Sequence, residues 1–356
     1  MSLITLDVHR LRNIEFAEIK PGPDLNLVFG ENGSGKTTLL EAVHLLSRAR
    51  SFRTPLPVQV IRSGLSDAVV SGVVGGGYPE GHRLGVRIAR RQRELRLDGR
   101  VLTSSGPLLQ ALPVQIIHPP QMSLLDGSPR HRRQYLDWGV FHVEPDYLRD
   151  WRSFARALNQ RNSLLKHGIC EELESWNQEL ARYGTIVAEA RERYLTQLLP
   201  CLSETIGHFL PGRRVEAVHV PGWKSQHSLL HVLRGDVSED IRQGFTRSGP
   251  HRGDLSISID GASAKSYLSR GQAKLIVYAM LLAQARLAGS ENRGVCILID
   301  DLASELDRRN RARLLAWLAE CRTQCFVTAV HGEDLPGTPV ESACVFHVEH
   351  GRVSAG

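Results

Sequence analysis

The sequence lacks the cysteine motifs of a metal site and the apolar runs of a membrane span or a signal peptide. Its six cysteines include no C-x-x-C pair, and Cys321 and Cys325 have no neighbouring histidine or cysteine to complete a zinc site. Such scattered cysteines are typical of buried, reduced thiols. No apolar run approaches a membrane span, and Asp7, Arg10 and Arg12 lie where a signal peptide would be apolar. We therefore expect a cytoplasmic protein with no membrane partner.

The length and the charge set further limits. A chain of 356 residues can bury a large core and form one split domain or two domains. The 42% hydrophobic and 23% charged residues are ordinary for a globular protein. The formal charge is +6, and the basic residues are mostly arginine, which binds phosphate in a forked geometry. This balance favours a polyanionic partner.

The most informative stretch is residues 25–46. An apolar strand at 25–29 precedes a glycine-rich turn, and the following helix has an apolar side. Gly30, Gly35, Lys36 and Thr37 fit G-x-x-x-x-G-K-[ST], the phosphate-binding loop. The glycines let backbone N–H groups close around phosphate oxygens at a helix N-terminus. The expected nucleotide-binding residues of this loop are Gly30, Glu31, Asn32, Gly33, Ser34, Gly35, Lys36, Thr37 and Thr38.

A second apolar strand, at 295–299, ends in Asp300 and Asp301. A hydrophobic strand with a terminal acid, far downstream of a phosphate loop, is the Walker B arrangement. We expect ATP and Mg²⁺ as cofactors, with Thr37 and Asp300 on the metal and Lys36 between the β- and γ-phosphates. Asp301 would orient or deprotonate the attacking water. Lys36 and Asp301 are thus the predicted catalytic residues.

Residues 267–272 open a third motif. Ser269, Gly271 and Gln272 stand at a predicted helix N-terminus, which offers a hydroxyl, free N–H groups and a positive dipole to an anion. The stretch looks like the signature sequence of ABC ATPases, with Arg270 in place of the usual first glycine. Residues 304–307 resemble the D-loop of that class. His331 follows a predicted strand and is either a switch histidine or a surface residue.

Two other regions have regular patterns. Residues 68–102 read as a β-meander with a turn at Asp98-Gly99. Its arginines form either a solvated face or a phosphate-contacting face: Arg83, Arg87, Arg91, Arg93 and Arg96. From about 130 to 200 the apolar spacing predicts a helical hairpin, with a polar turn at 166–168 and Pro200 closing its second helix. Residues 201–245 give no clear assignment.

The order of these motifs predicts an α/β fold, an ABC-type ATPase head with an inserted short helical-hairpin lobe. We expect residues 1–120 and 246–356 to form the head and residues 121–245 the lobe. A transporter subunit would place the signature soon after the phosphate loop, and SMC proteins insert far longer helices. The chain is most similar in pattern to the RecF family of bacterial recombination and repair proteins. Further matching stretches are 11–15, 50–53, 127–139, 159–162 and 249–254. Residues 120–122 depart from the family pattern, and Gln121 is a candidate for the glutamine loop.

The resemblance implies a function beyond hydrolysis. RecF proteins bind ATP, dimerise on it and associate with double-stranded DNA and double-strand/single-strand junctions. With RecR and RecO they help load RecA, in gap repair, replication restart and the SOS response. In ABC ATPases the signature serine and second glycine contact the γ-phosphate held by the opposite subunit, which assigns that role to Ser269 and Gly271. Two alternatives stay open, a P-loop phosphotransferase and an SMC-like structural tether.

Overall fold

A computed structural model describes residues 2–75, 81–119, 123–168, 171–224, 226–290, 294–321, 323–337 and 343–356. The strands are β1 Ser2–Leu11, β2 Ile14–Ile19, β3 Leu25–Phe29, β4 Asp67–Gly75, β5 His82–Ala89, β6 Arg93–Leu97, β7 Arg100–Val101, β8 Val114–Ile117, β9 Val215–Val220, β10 Asp254–Ile259, β11 Ala262–Ser263, β12 Cys296–Ile299, β13 Cys325–Ala329, β14 Cys344–Glu349 and β15 Arg352–Ala355. The helices are α1 Lys36–Arg48, α2 Gly106–Ala111, α3 Ser123–Asp126, α4 Pro129–Val143, α5 Tyr147–His167, α6 Leu173–Phe209, α7 Leu229–Gly235, α8 Val237–Gln243, α9 Ala264–Tyr267, α10 Arg270–Gly289, α11 Leu302–Glu305 and α12 Arg308–Cys321.

The chain divides into two compact units. The head unit comprises Met1–Gln121 and Ala285–Gly356, and the lobe unit comprises Met122–Gln284. The head therefore contains both ends of the chain, as an inserted lobe requires. No helix among the described residues is long and apolar enough to cross a membrane.

The head unit is built from two six-stranded sheets with α1 between them. One sheet is antiparallel, in the order β2-β1-β4-β5-β6-β7, and the other has the order β15-β14-β3-β13-β12-β8. In the second sheet β14, β3, β13, β12 and β8 are parallel. α1 contributes to one hydrophobic core with strands of both sheets, so nearly every α1 residue is buried. A helix enclosed in this way is held rigidly, and its N-terminus is the end of the phosphate loop.

Three polar residues of α1 lie in one row, and each has a partner. Glu41, His44 and Ser47 are spaced by three residues, which places them along one side of a helix. His44 Nδ1 bonds the carbonyl of Arg50 at 2.8 Å, and Ser47 Oγ donates to the carbonyl of Leu112 at 2.6 Å. Burial lowers the pKa of His44 to about 3, so the ring is neutral in the folded protein.

The lobe unit is mainly helical. α5 packs on α6, and the turn between them begins at Gly168, which caps α5 in the left-handed conformation. The predicted hairpin is therefore present. A buried ion pair between Arg161 Nη1 and Asp240 Oδ2, at 2.7 Å, ties α5 to α8. A small antiparallel sheet, β11-β10-β9, completes the unit.

Two sequence expectations differ from this architecture. Pro200 does not close the second helix, because α6 continues to Phe209. Proline removes one backbone donor, but the buried side chains of Leu202, Ile206 and Phe209 pack the last turns and outweigh that loss.

The predicted domain boundary at 245–246 also differs from the division at 284–285. β10 pairs with β9, and the Tyr135 hydroxyl donates to the carbonyl of Met280 at 2.9 Å, so residues 246–284 group with the lobe. Gln121, the glutamine-loop candidate, lies outside the described residues.

Candidate nucleotide-binding site

The phosphate loop connects β3 to α1, and its glycines are required by the backbone. Gly30, Gly33 and Gly35 all have positive φ, at 153°, 82° and 128°. A Cβ on Gly30 would lie 2.2 Å from the carbonyl oxygen of Val348, and one on Gly35 would lie 3.1 Å from Asn13 Nδ2. Any side chain at Gly30 would therefore displace the neighbouring strand β14.

Asn13, in the turn between β1 and β2, holds this loop through side-chain hydrogen bonds. Its Nδ2 donates to the carbonyls of Ser34 at 2.8 Å and Gly33 at 3.2 Å. Its Oδ1 accepts from Thr38 Oγ1 at 3.0 Å. In the sequence Asn13 is marked only by its place in the matching stretch 11–15.

Lys36 is oriented by the loop itself. Its Nζ donates to the carbonyls of Gly30 at 2.6 Å and Glu31 at 2.9 Å. Burial lowers the pKa of Lys36, and the nearby Asp301 and Asp300 partly offset that shift. The carbonyls that orient the ammonium carry no charge, so Lys36 Nζ is well suited to a charge-assisted bond with a phosphate.

The loop has further donors for an anion. The hydroxyl of Ser34 is buried and has no hydrogen-bond partner among the described residues. The N–H groups of Lys36, Thr37 and Thr38 open α1 and have no intrahelical acceptor. Together with Lys36 Nζ, these groups fit the phosphates of a nucleotide.

Thr37 follows β3 and Asp300 follows β12, two parallel strands of one sheet, and their side chains are in contact. Thr37 Oγ1 donates to Asp300 Oδ1 and Oδ2 at 2.9 and 3.1 Å, and Thr328 Oγ1 donates to Asp300 Oδ1 at 3.1 Å. Adjacent ligands of an octahedral Mg²⁺ are about 3.0 Å apart, given metal–oxygen distances of about 2.1 Å. The two oxygens thus already have the separation that Mg²⁺ requires. Burial raises the pKa of Asp300, and the bonds from Thr37 and Thr328 counteract it.

Asp301 has different surroundings. Its backbone is left-handed, with φ 50° and ψ 55°, and its N–H donates to Thr328 Oγ1 at 2.7 Å. No hydrogen bond of its carboxylate is seen within the described part of the chain. Asp300 is therefore fixed by two hydroxyls, whereas the side chain of Asp301 is available to accept a hydrogen bond from a water.

A buried carboxylate in α1 positions two arginines at the same site. Glu41 is 0% exposed. It accepts from Arg12 Nη2 at 2.8 Å and also from Arg12 Nε and Ser51 Oγ, and Arg53 Nη1 lies 3.6 Å from it. No motif in the sequence marks Arg12, Glu41 or Arg53 as part of the site, because only folding brings residues before and after the loop together.

These groups surround a cleft of about 340 Å³. It is lined by Arg12, Asn13, Asn32, Gly33, Gly35, Lys36, Thr37, Thr38, Arg53, Asp300 and Asp301. Most of the predicted loop residues and both acids are therefore brought together. Gly30, Glu31 and Ser34 border instead a neighbouring depression of about 560 Å³ beside β14.

The signature residues belong to the lobe unit. Ser269 precedes α10, where its Oγ accepts from the N–H of Gln272 at 3.3 Å and Gln272 Oε1 accepts from the N–H of Ser269 at 3.1 Å. This reciprocal pair is a capping box. Ser269, Arg270 and Gly271 are exposed.

His331 is exposed and begins a short turn, with its N–H donating to Asp334 Oδ2 at 3.0 Å. It is not among the residues that line the cleft. In the D-loop stretch, Asp307 Oδ1 accepts from the N–H of Asn310 at 2.9 Å, at the start of α12.

The arginines of the meander do not form one uniform face. Arg87 Nε donates to Asp67 Oδ2 at 2.8 Å, and Arg96 pairs with Glu94. Arg93 Nη1 donates to the carbonyl of Ala49 at 2.9 Å. Arg83 and Arg91 are exposed. A continuous phosphate-contacting stripe is therefore interrupted by ion pairs.

A family model and two relatives of known name indicate the same family. The family described as RecF/RecN/SMC N terminal domain matches residues 2–353. The DNA replication and repair protein RecF of Chromohalobacter salexigens is 41% identical over 360 residues, covering 99% of each chain. The protein of the same name from Pseudomonas fluorescens (strain Pf-5) is 39% identical and covers 99% of this chain and 98% of the relative.

Solved structures agree. One described as the recombination mediator protein RecF-ATP in the RecFOR pathway has a TM-score of 0.90, 26% identity, and 99% coverage of both chains. The Smc head domain of Pyrococcus furiosus has a TM-score of 0.62 at 14% identity, covering 100% of this chain and 96% of that chain, which supports the fold alone.

Proposed function

The chain belongs to the RecF family within the RecF/RecN/SMC group, and on that premise we propose that it is an ATP-dependent DNA-binding clamp. The resemblance predicted from the motifs is confirmed, and so is the α/β fold of an ABC-type ATPase head. The clamp activity joins three steps, which are ATP binding, dimerisation and DNA binding.

One observation carries the ATP step. Thr37 and Asp300 are 263 residues apart in sequence, yet their oxygens lie 2.9 Å apart at the mouth of the phosphate loop. Mg²⁺, held there by these two residues, would neutralise charge on the β- and γ-phosphates. Lys36 and the N–H groups of the first turn of α1 would bind the phosphate oxygens. The Asp301 carboxylate, which makes no hydrogen bond within the described residues, would accept the proton of the attacking water.

The dimer step is supported by the exposed signature. Ser269 and Gly271, with Gln272 beside them, would contact the γ-phosphate held by a second copy of this chain. The helix dipole of α10 would add to that contact. ATP would then be the bridge between two copies, and hydrolysis would release them. We expect hydrolysis to be slow, because Asp301 is one methylene shorter than the glutamate of many ABC ATPases.

The DNA step and its setting come from the relatives. The net charge of +6 favours a polyanion. We propose duplex DNA and double-strand/single-strand junctions as ligands, and RecR and RecO as partners in loading RecA. The solved relative named for the RecFOR pathway supports that pathway, with gap repair, replication restart and the SOS response as its outputs. The place of action would be the cytoplasm.

The test is a salt titration of duplex DNA binding with and without ATP and Mg²⁺. A clamp gives ATP-dependent binding whose affinity falls steeply with salt, because cations released from DNA drive the association. A P-loop phosphotransferase would show no DNA binding in either state. A structural tether would bind DNA to the same extent with and without ATP. Either of these results would reject the clamp.

A further inference from the structure

The head unit has a second cavity, separate from the nucleotide cleft. It has a volume of about 570 Å³ and lies between the segment 49–60 that follows α1 and the turn from β5 to β6. Arg93 crosses between these walls, donating from Nη1 to the carbonyl of Ala49 at 2.9 Å. We name this cavity the arginine groove. It lies within one compact unit, so one chain is sufficient to form it.

The rim of the groove is cationic and lacks counter-charges. Arg50, Arg90 and Arg91 line it and are exposed. Among the described residues, none of these three guanidinium groups has an ion pair, and no carboxylate lines the groove. Three neighbouring cations without an acid repel one another, so an anionic ligand would relieve that repulsion.

Turn geometry does not explain the two arginines at the tip. The turn is closed by a bond from Ala89 N–H to the Gln92 carbonyl at 2.8 Å, with Arg90 and Arg91 between them. The next hairpin of the same sheet uses Asp98-Gly99, with φ of 50° and 79°, the residue pair that a tight hairpin favours. Neither Arg90 nor Arg91 has a positive φ, so both guanidinium groups are placed at the groove without serving the turn conformation.

The floor of the groove is apolar. Val60 and Ile88 are buried beneath it, while Val58, which also lines the groove with Pro55 and Pro57, is 44% exposed. A nucleic acid backbone of phosphates and sugars has no projecting apolar side chain to place there. Single strands stack their bases on aromatic rings, and no described residue that lines the groove is aromatic. An acidic peptide with one apolar side chain fits both the rim and the floor.

We propose that the arginine groove is a docking site for an acidic peptide segment of a partner protein, anchored by one apolar side chain. The carboxylates would bind Arg50, Arg90 and Arg91, and the anchor would cover Val58. This site is distinct from the nucleotide cleft and does not depend on the clamp proposal.

Two fluorescein-labelled peptides test it on the full chain. Both alternate aspartate and glutamate; one has a central leucine and the other a serine there. Burying part of a leucine is worth about 1.5 kcal/mol, so the leucine peptide binds roughly tenfold more tightly. Val58→Glu, an exposed substitution, abolishes that preference. Equal affinity of the two peptides for the unaltered protein would overturn the apolar anchor.

The rim is tested by Arg50→Glu/Arg90→Glu. Reversing two exposed charges weakens the leucine peptide on the order of tenfold. The matched control is Arg152→Glu/Arg156→Glu, because these arginines are exposed on α5 and the net charge changes equally. The control retains peptide binding. Equal losses in both double variants would mean attraction by overall charge and would overturn the site.

Duplex DNA and ATP are measured on the same preparations. The rim variant keeps its ATP affinity, and its DNA affinity matches that of the control variant. If the rim variant instead loses DNA binding and keeps peptide binding, the groove is a DNA-backbone surface and the peptide proposal fails. Loss of ATP binding alongside peptide binding would contradict a separate site.

Discussion

The two acids at the end of β12 should give opposite phenotypes when each is replaced by asparagine. Asp300 is buried and accepts from Thr37 and Thr328, whereas the carboxylate of Asp301 makes no hydrogen bond within the described residues. Asn has nearly the same shape as Asp and also tolerates the left-handed backbone found at Asp301. Neither substitution should therefore disturb the fold.

Asp301→Asn removes a proton acceptor and leaves the metal ligands in place. General-base catalysis contributes a factor of about 10²–10⁴, or roughly 3–5 kcal/mol of barrier. We expect single-turnover hydrolysis to fall by that factor, while Mg²⁺–ATP affinity stays within about twofold. The ATP-bound dimer should last correspondingly longer.

Asp300→Asn removes a charge that burial already disfavours. Because burial raises the pKa of Asp300, its ionised form destabilises the ligand-free protein. We expect the ligand-free variant to melt at a higher temperature than the unaltered protein, as when a strained functional group is removed. Its Mg²⁺–ATP affinity should fall about 10–100-fold, since a ligand is lost.

The assay is single-turnover hydrolysis beside dimer lifetime, with melting curves at increasing Mg²⁺–ATP. Lowering the pH should weaken Mg²⁺–ATP binding, as Asp300→Asn does, because protons compete with Mg²⁺ for a carboxylate whose pKa is raised. The reasoning would be refuted if Asp301→Asn hydrolysed ATP normally, or if Asp300→Asn alone trapped the dimer.

Five further variants, at four positions, test other residues. Lys36→Met should lower ATP affinity about 100-fold, as loss of a charge-assisted contact to two phosphates implies; dimerisation that survived in ATP would contradict this role. Ser269→Arg should leave monomer ATP binding intact and abolish dimerisation in sedimentation experiments. Ser269→Asp retains the helix cap but repels phosphate, and it should also abolish dimerisation. If Ser269→Asp dimerised and Ser269→Arg did not, the defect of Ser269→Arg would come from loss of the helix cap. Glu41→Gln removes the buried charge that holds the partly exposed Arg12 and the exposed Arg53, and should cost about 1–2 kcal/mol in urea unfolding; an unchanged midpoint would rule that out. The neutral ring of His44 takes up a proton only on unfolding, so stability falls with acid below its unfolded pKa; His44→Gln should reduce that slope by about 1.4 kcal/mol per pH unit, and equal slopes would disprove it.

Local patterns accounted for much of the fold. The strand Leu25–Phe29, the turn at Asp98-Gly99 and the hairpin α5–α6 were predicted from short segments, because apolar period and turn residues act over a few positions. Pro200 was misread for the same reason. A local rule ends the helix there, and only long-range packing of the following turns continues it.

Some residues of the nucleotide cleft were predictable from the sequence, and others were not. Lys36, Thr37 and Asp300 lie in motifs whose residue order is itself the signal. Thr328 and Glu41 have no such motif. Thr328 reaches Asp300 through the parallel pairing of β12 with β13, and Glu41 reaches Arg12 through the packing of α1, so neither contact is written in a short stretch of sequence.

The position of β3 governs the order in which a newly made chain can fold. β3 lies between β13 and β14, and Leu25 pairs with Cys325. On the ribosome β3 therefore emerges long before either neighbour, with two open edges that could pair with other chains. Lys36 and Thr37 likewise wait for Asp300 and Thr328. The lobe is synthesised within that interval, so the contacts among Thr37, Asp300 and Thr328 that complete the nucleotide cleft can form only after the lobe has been made.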